Sequence, residues 1–333
     1  MPPATNRQIV LTSRPQGLPR PADFALVESA VAVPEAGQFV IRHSHLGLAP
    51  AARLRMGETK SYAAPMALGD VVHSQAVGEV VASKHAQFKA RDQVVSTSGG
   101  WQEYSVSSGA GVSKIDTGLA PPTVWLGALG TSGQTAWVGL HDVAVPKRGE
   151  TVVVSAAAGA VGSMAGQIAR QLGCRIVGIA GGARKCEHVV HDLGFDACVD
   201  YRSEAFPQLL RDACPAGVDV YFDNVGGMVR DTVWSLLNQS GRVAVCGLIS
   251  EYNDSFGAGP GWFNVLTRRL TVRGFIMSDH ADSRGPFLEG MSKWYRAGAI
   301  RIREDIVDGL EQTVPAFIGM LQGNNFGKTI VRL

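Results

Sequence analysis

Cysteine is missing from the first half of this chain. None precedes Cys174, and Cys174, Cys186, Cys198, Cys214 and Cys246 never fall in a Cys-x-x-Cys spacing. That excludes a zinc ribbon and a disulfide framework, and it suits a reducing, cytoplasmic compartment. Neither sign of charge is in excess. Lys and Arg number 31 against 29 Asp and Glu, a net charge of +2, and no basic block stands out, so a nucleic-acid partner is not indicated. Long hydrophobic runs are also wanting. The N-terminal MPPATNRQIVL lacks the apolar core of a signal peptide. Thr151 to Ala169 carries no charge, but Ser155, Gly159, Gly162, Ser163, Gly166 and Gln167 interrupt it. A strand, a glycine turn and a buried helix explain that stretch better than a membrane span. With 45% hydrophobic and 18% charged residues, the 333 residues hold ample core material, and their number favours two domains.

Glycine is plentiful, at 40 residues, as tight strand-to-helix turns require. The early part reads as β-rich. RQIVLTSRP, DFALVESAV, GQFVIRHSHLGL, AVGEVVASKH and DQVVSTSGGWQEYSV are short, partly alternating runs, and they predict a small irregular barrel. Pro121-Pro122 then marks a boundary, because paired prolines stop helix and ladder alike. Beyond it TVVVSA, CRIVGIA, ACVDY, VDVYFDNV and GRVAVCGLI alternate with helix-like segments such as Ala160 to Leu172 and ARKCEHVVHDLG. That rhythm predicts a parallel sheet with crossover helices. The tail from about Arg301 reads strand, helix, strand, and could close either domain.

The sharpest signal is SAAAGAVGSMAGQIARQLG, Ser155 to Gly173. Gly159 would let a pyrophosphate approach the backbone, Gly162 and Gly166 would let the helix pack on the sheet, and Ala157 stands where the usual fingerprint has its first glycine. The helix N-terminus then offers N–H groups and partial positive charge to an anion. NAD sites carry Asp or Glu about 20 residues on, to accept from a ribose hydroxyl. Here the local sequence is GIAGGARKC: no acid, room at Gly181 and Gly182, and the cations Arg184 and Lys185. A carboxylate would repel a 2′-phosphate and these cations would bind it, so the pattern favours NADPH/NADP+ over NAD.

In order along its whole length the chain resembles the zinc-independent branch of the medium-chain dehydrogenase/reductase superfamily. That branch holds prostaglandin reductases, plant alkenal double-bond reductases and bacterial curcumin reductases. The resemblance rests on RQIVLTSRP with ESAV, SYAAPMALGDVV, the glycine fingerprint, GIAGGARKC, LGFDACVDY, VDVYFDNVGG, CGLISEYN, the Gly274-Phe275 pair and NFGKTIV. It implies an α/β fold, a Rossmann doubly wound parallel sheet plus a GroES-like β-barrel catalytic domain. The expected domains are 1–122 (substrate and catalytic), 123–300 (NADP-binding) and 301–333, a segment returning to the first. It implies no metal and a homodimer.

Residue by residue, the resemblance implies that Gly159, Ala160, Val161 and Gly162 form the pyrophosphate turn, and that Lys185 and Tyr201 contact the 2′-phosphate. Asn224 would touch the cofactor after the fourth strand. Cys246, Gly247, Leu248, Ile249, Ser250 and Tyr252 would lie beside the nicotinamide ribose, and Phe275, Ile276 and Asn325 would complete the site. The activity implied is NADPH-dependent reduction of the C=C bond of α,β-unsaturated carbonyl compounds, with hydride going to the β-carbon. A quinone reductase and a non-catalytic NADPH-binding protein are the alternatives. Tyr252 is the first candidate to stabilise the developing enolate, and Tyr62 the second.

One departure stands out. Where the branch reads L-S-x-D-P-Y-M-R, this chain reads LGLAPAAR, so Ala49 and Ala51 replace the Asp and Tyr; His73, Ser74 and Gln75 stand where small or apolar residues are usual. The two alanines imply a wider or more apolar pocket, or a substrate anchored otherwise. His43 and His45, two apart on a predicted strand, are expected to share a face toward solvent, with no third ligand to make a metal site.

Overall fold

A computed structural model describes residues 5–58, 61–253 and 259–333. The chain divides into two units, Met1–Gly127 with Glu304–Leu333, and Ala128–Arg303.

The first unit opens with the antiparallel hairpin β1 (Thr5–Leu11) and β2 (Phe24–Ala30). β3 (Phe39–Gly47) follows, then a short helix α1 (Ala51–Arg55), β4 (Gln75–Ser83), β5 (Gln93–Ser96), β6 (Tyr104–Ser107) and β7 (Val112–Lys114). Pro121 and Pro122 do interrupt the ladder: Pro122–Leu126 is a 3-10 turn.

The second unit begins with α2 (Thr131–Val138) and then alternates. Its strands are β8 (Thr151–Ser155), β9 (Arg175–Ala180), β10 (Ala197–Asp200), β11 (Val218–Asp223), β12 (Leu237–Val245) and β13 (Thr271–Gly274). All pair in parallel, in the order β10-β9-β8-β11-β12-β13. That is the doubly wound order whose reversal point lies beside the first strand, where such sheets take their ligands. The helices between strands are α3 (Ala160–Gln171), α4 (Ala183–Glu187), α5 (Phe206–Ala213), α6 (Gly227–Trp234) and α7 (Phe263–Arg268), with α8 (Arg284–Arg296) after β13. β8 is buried throughout, with Val152, Val153 and Val154 fully so, as a central strand covered on both faces must be. β13 differs. Every residue is exposed, and four residues without alternation gave no strand signal in the sequence.

The chain then returns to the first unit as β14 (Glu304–Asp308), α9 (Thr313–Leu321) and β15 (Lys328–Arg332). β15 lies between β14 and β3, within the order β14-β15-β3-β4-β5-β7. The tail also supplies core. Phe317 of α9 packs edge-on to Trp101 at 5.2 Å, and Val331 joins the cluster of Leu11, Leu46, Leu48 and Met56.

The histidine expectation fails. The register of β3 against β4 shifts between His43 and His45, so the pair does not keep a strand's alternation. His43 turns inward, 4% exposed, with Nδ1 2.9 Å from the Gln102 carbonyl and Nε2 2.9 Å from Ser105 Oγ. Burial pulls its pKa down to about 4, so it is a neutral core residue at ordinary pH.

Candidate active site

The turn after β8 is built on small residues. Ala156 adopts φ +50°, and the Ala157 N–H donates to the Ile179 carbonyl at 3.0 Å, fastening the turn to β9. A Cβ at position 178 would stand 2.9 Å from Ala157 Cβ. Gly178 on β9 therefore makes the room that the fingerprint's first glycine usually provides, and Ala157 is tolerated. Gly159 is the N-cap of α3 in extended conformation, and its Cβ would come 3.1 Å from the Ala156 carbonyl oxygen. Gly162 is tighter: a Cβ there would overlap that same carbonyl, so only glycine lets α3 start so close to the turn.

The first turn of a helix has N–H groups with no intrahelical acceptor. In α3 no side chain caps them among the described residues, and Ala160, Val161 and Gly162 bring no acid to them. A pyrophosphate fits this cradle, since a Cβ would fill it and a carboxylate would repel the anion.

At the end of β9 a second bend forms. Gly182 has φ +94°, a left-handed conformation natural to glycine, and N-caps α4, which carries Arg184 and Lys185. Lys185 is half-buried. A Cβ at position 181 would meet the Tyr201 ring at 2.8 Å and Arg202 Nε at 3.0 Å. Tyr201 thus lies against the bend, with the Arg202 guanidinium 5.8 Å from its ring centre. Arg202 went unread in the sequence because only the pairing of β10 with β9 brings it there. An acid is present too. Asp200 Oδ1 accepts from the N–H groups of Gly182 and Arg202, each at 2.9 Å. It braces the bend, and three cations outnumber it there.

After β11 the organiser is Asp223, which is fully buried. Its Oδ1 accepts from the Tyr221 hydroxyl at 2.8 Å and from the N–H groups of Val225 and Gly226 at 2.9 Å each. Oδ2 has no partner among the described residues. Burial raises the carboxyl's pKa against the pull of those N–H donors. Asn224 ties β11 to β8: its Nδ2 donates to the Ser155 carbonyl and its N–H to Ser155 Oγ, both at 2.8 Å.

The segment Cys246–Tyr252 is fastened onto this turn. The N–H groups of Cys246 and Gly247 donate to the Asp223 carbonyl at 2.8 and 3.1 Å, and those of Ile249 and Ser250 to the carbonyls of Asn224 and Val225 at 3.3 and 3.1 Å. Glu251, 8% exposed, accepts from the Gly227 N–H at 2.9 Å and pairs with Arg230 at 3.0 Å. Tyr252 folds back, its hydroxyl oxygen accepting from the Leu248 N–H at 3.3 Å. Phe275 lies edge-on to Phe222 with ring centres 6.3 Å apart, and Ile276 is half-buried beside it. Asp223 and Glu251 were missed from sequence because an isolated acid gives no sign of what it will hold.

In the first unit Tyr62 is 54% exposed. Ala49 and Ala51 are half-buried. Just before them the Leu48 carbonyl accepts from Lys328 Nζ at 2.9 Å. Lys328 is buried, and burial pushes its amine down to about 8. His73 is also neutral at ordinary pH, pushed down to about 4 by burial and by Arg55. Asn325 Nδ2 donates to the Gly327 carbonyl at 3.0 Å. Among the described residues no three His, Cys, Asp or Glu side chains gather as metal ligands would, and no helix is long and apolar enough to cross a membrane.

Residues 7–115 match the family described as the N-terminal domain of oxidoreductase, and residues 160–293 the one described as zinc-binding dehydrogenase. The chain is 44% identical to the NADPH-dependent curcumin reductase of Escherichia coli, covering 98% of this chain and 97% of that protein. It is 35% identical to the NADP(+)-dependent 2-alkenal reductase of Nicotiana tabacum, over 98% and 97% of the two chains. The crystal structure of CurA from Vibrio vulnificus in complex with NADPH superposes with a TM-score of 0.94 at 43% identity, covering 98% of each chain. Together with the sheet order and the phosphate cradle, these likenesses establish that the chain belongs to the zinc-independent branch of the medium-chain dehydrogenase/reductase superfamily that holds the curcumin and alkenal reductases.

Proposed function

We propose that this chain is an NADPH-dependent reductase of the C=C bond of α,β-unsaturated carbonyl compounds, enones and enals. The observation that carries the reading is the pairing of two anion sites in one unit. The uncapped start of α3 would take the pyrophosphate, and the Gly181–Gly182 bend with Lys185, Arg202 and Tyr201 would take a 2′-phosphate. The named activities of the similar curcumin and alkenal reductases support the substrate class. On this reading residues Ala128–Arg303 hold the nucleotide, and the other unit shapes the substrate pocket, widened at Ala49 and Ala51.

Bound NADPH supplies a hydride. The residues of the chain do the rest by orientation and electrostatics. The 246–252 segment, held by Asp223 and Glu251, would line the nicotinamide side without rearrangement, with Phe275 and Ile276 completing the wall. Tyr252 would donate its hydroxyl proton in a hydrogen bond to the enolate oxygen. The Leu248 N–H that its oxygen accepts polarises that O–H further.

The assembly we infer is a homodimer joined along β13. Among the described residues this strand is an exposed sheet edge, flanked by Trp262, Phe263 and Leu266, each at least 75% exposed. Such an edge invites a partner strand. The five cysteines, all free thiols, fit a cytoplasmic location.

The test is NADPH oxidation followed at its absorbance maximum across enones, enals and quinones, with NADH in parallel. Turnover of enones or enals with NADPH, and little with NADH, is expected. Turnover of quinones alone, or tight NADPH binding with no turnover, would overturn the assignment.

A further inference from the structure

Lys328 breaks the ordinary rule of burial. It is 4% exposed on β15, the strand between β14 and β3. A lysine is almost never fully buried unless an opposite charge pairs with it. Among the described residues none does. Glu304, its register partner on β14, forms no ion pair with it, and its one hydrogen bond runs from Nζ to the Leu48 carbonyl at 2.9 Å. The path of the side chain is cleared by glycine. A Cβ at position 47 would lie 3.2 Å from Lys328 Cε, and one at position 127 would lie 3.6 Å from Lys328 Cβ.

The bond has a definite place in the chain. The Leu48 N–H donates to the Thr329 carbonyl at 3.0 Å, so consecutive residues of β15 hold both backbone groups of Leu48. Ser74 Oγ holds the Gly47 carbonyl at 3.1 Å. β3 ends at Gly47, and beyond Leu48 come Ala49, Pro50 and Ala51, where α1 starts. The N–H groups of Ala52 and Arg53 close that first turn on the carbonyls of Ala49 and Pro50, at 3.2 and 2.9 Å. The corner between strand and helix is therefore fixed on its strand side by the Lys328 amine. An unpaired buried ammonium opposes folding, and a methionine could follow the same path without a charge. What lysine adds at this position is the donor.

We propose that Lys328 is a positioning residue for substrate binding: its amine fixes the Leu48 carbonyl, and with it the 49–51 wall on which an enone or enal lies. The substrate half rests on the enone reading above; the fixing of the corner does not. Neither hydride nor proton passes through Lys328. A wall that touches substrate equally in the ground and transition states contributes to KM and not to kcat.

The experiment compares the full chain with Lys328→Met in four measurements: urea unfolding at pH 7, hydrogen exchange of the peptide spanning 46–56, calorimetric NADPH titration, and steady-state reduction of 4-phenyl-3-buten-2-one and 2-hexenal. Stability should equal or exceed that of the native chain, because the variant no longer buries a charge. Exchange should quicken in the 46–56 peptide and stay as it was in Ala160–Gln171. KM should rise roughly five- to tenfold while kcat and NADPH affinity stay within about twofold. A less stable or unfolded variant would make the amine a structural prop and overturn the proposal. So would unchanged exchange at the corner, or an unchanged KM. If the native chain binds NADPH but reduces neither compound, the enone reading falls and the substrate half with it. The exchange measurement needs no substrate, so it still decides whether the amine holds the corner.

Discussion

On the proposed reading Lys185 and Arg202 would divide one task between a helix and a strand end. Each charge-assisted hydrogen bond to a 2′-phosphate is worth about 1.5–3 kcal/mol. Lys185→Ala and Arg202→Ala should therefore each weaken NADPH roughly 10- to 100-fold while leaving NADH nearly unchanged. Calorimetric titration with both nucleotides checks this, and equal losses for the two would refute the placement. Tyr252→Phe keeps the ring and removes the O–H. It should lower kcat by roughly an order of magnitude or more with little effect on NADPH affinity, as expected for loss of one donor to developing charge. Unchanged steady-state turnover would dismiss the role. At this scale legibility depended on neighbours in sequence. Lys185 could be nominated as a candidate because it follows a glycine pair that itself signals a bend. Arg202, Asp223 and Glu251 could not, because their contacts exist only once β10 pairs with β9 and β11 with β12.

The element that the sequence displayed most openly is α3, whose start was read at Ala160 and whose end falls one residue before the expected Leu172, because strand, glycine turn and helix follow one another without interruption. Its glycines separate two functions. In an exposed helix Gly→Ala gains up to about 1 kcal/mol. Here packing outweighs that gain. A Cβ at position 166 would enter the Phe195 ring and one at position 162 the Ala156 carbonyl. Gly166→Ala should cost about 1–3 kcal/mol in urea unfolding, as overpacked sites do, with nucleotide affinity largely kept. Gly162→Ala should displace the turn itself and lose NADPH affinity out of proportion to stability. The same loss pattern in both variants would contradict this division. Elements defined by contact more than by pattern escaped the sequence. β13 is too short and too exposed to announce itself, and the irregular β3–β4 register that buries His43 follows no periodicity.

For the molecule as a whole, Lys328 sets a pH signature. Its amine falls from 10.5 to about 8 on folding, so the unfolded chain binds more protons between those values and stability should rise with pH across that window. The gain is up to about 3 kcal/mol at roughly 1.4 kcal/mol per pKa unit. Buried thiols with raised pKa act in the opposite sense, so the measurement is a difference: the slope of unfolding free energy between pH 8 and 10.5 in the native chain minus that in Lys328→Met. A positive difference is expected, and a flat one would mean that the amine is hydrated in the fold. Sedimentation tests the assembly. Phe263→Asp or Val272→Lys should convert a dimer to a monomer with the nucleotide affinity intact, whereas a dimer that survives both would move the interface elsewhere.

The return of β15 to the edge of β3 governs the order in which this polypeptide can mature. Ala128–Arg303 is one unbroken stretch that carries every strand of its parallel sheet. The earlier residues cannot finish: Trp101 waits for Phe317, and the His45–Gly47 stretch of the β3 edge stays open until Lys328–Arg332 has been synthesised. During all that time the His45–Gly47 end of β3, paired by β4 on one side only, is displayed to other nascent chains. Overexpression losses should therefore begin with mispairing of the amino-terminal half, and slowing synthesis within codons 128–303 should lengthen the exposure.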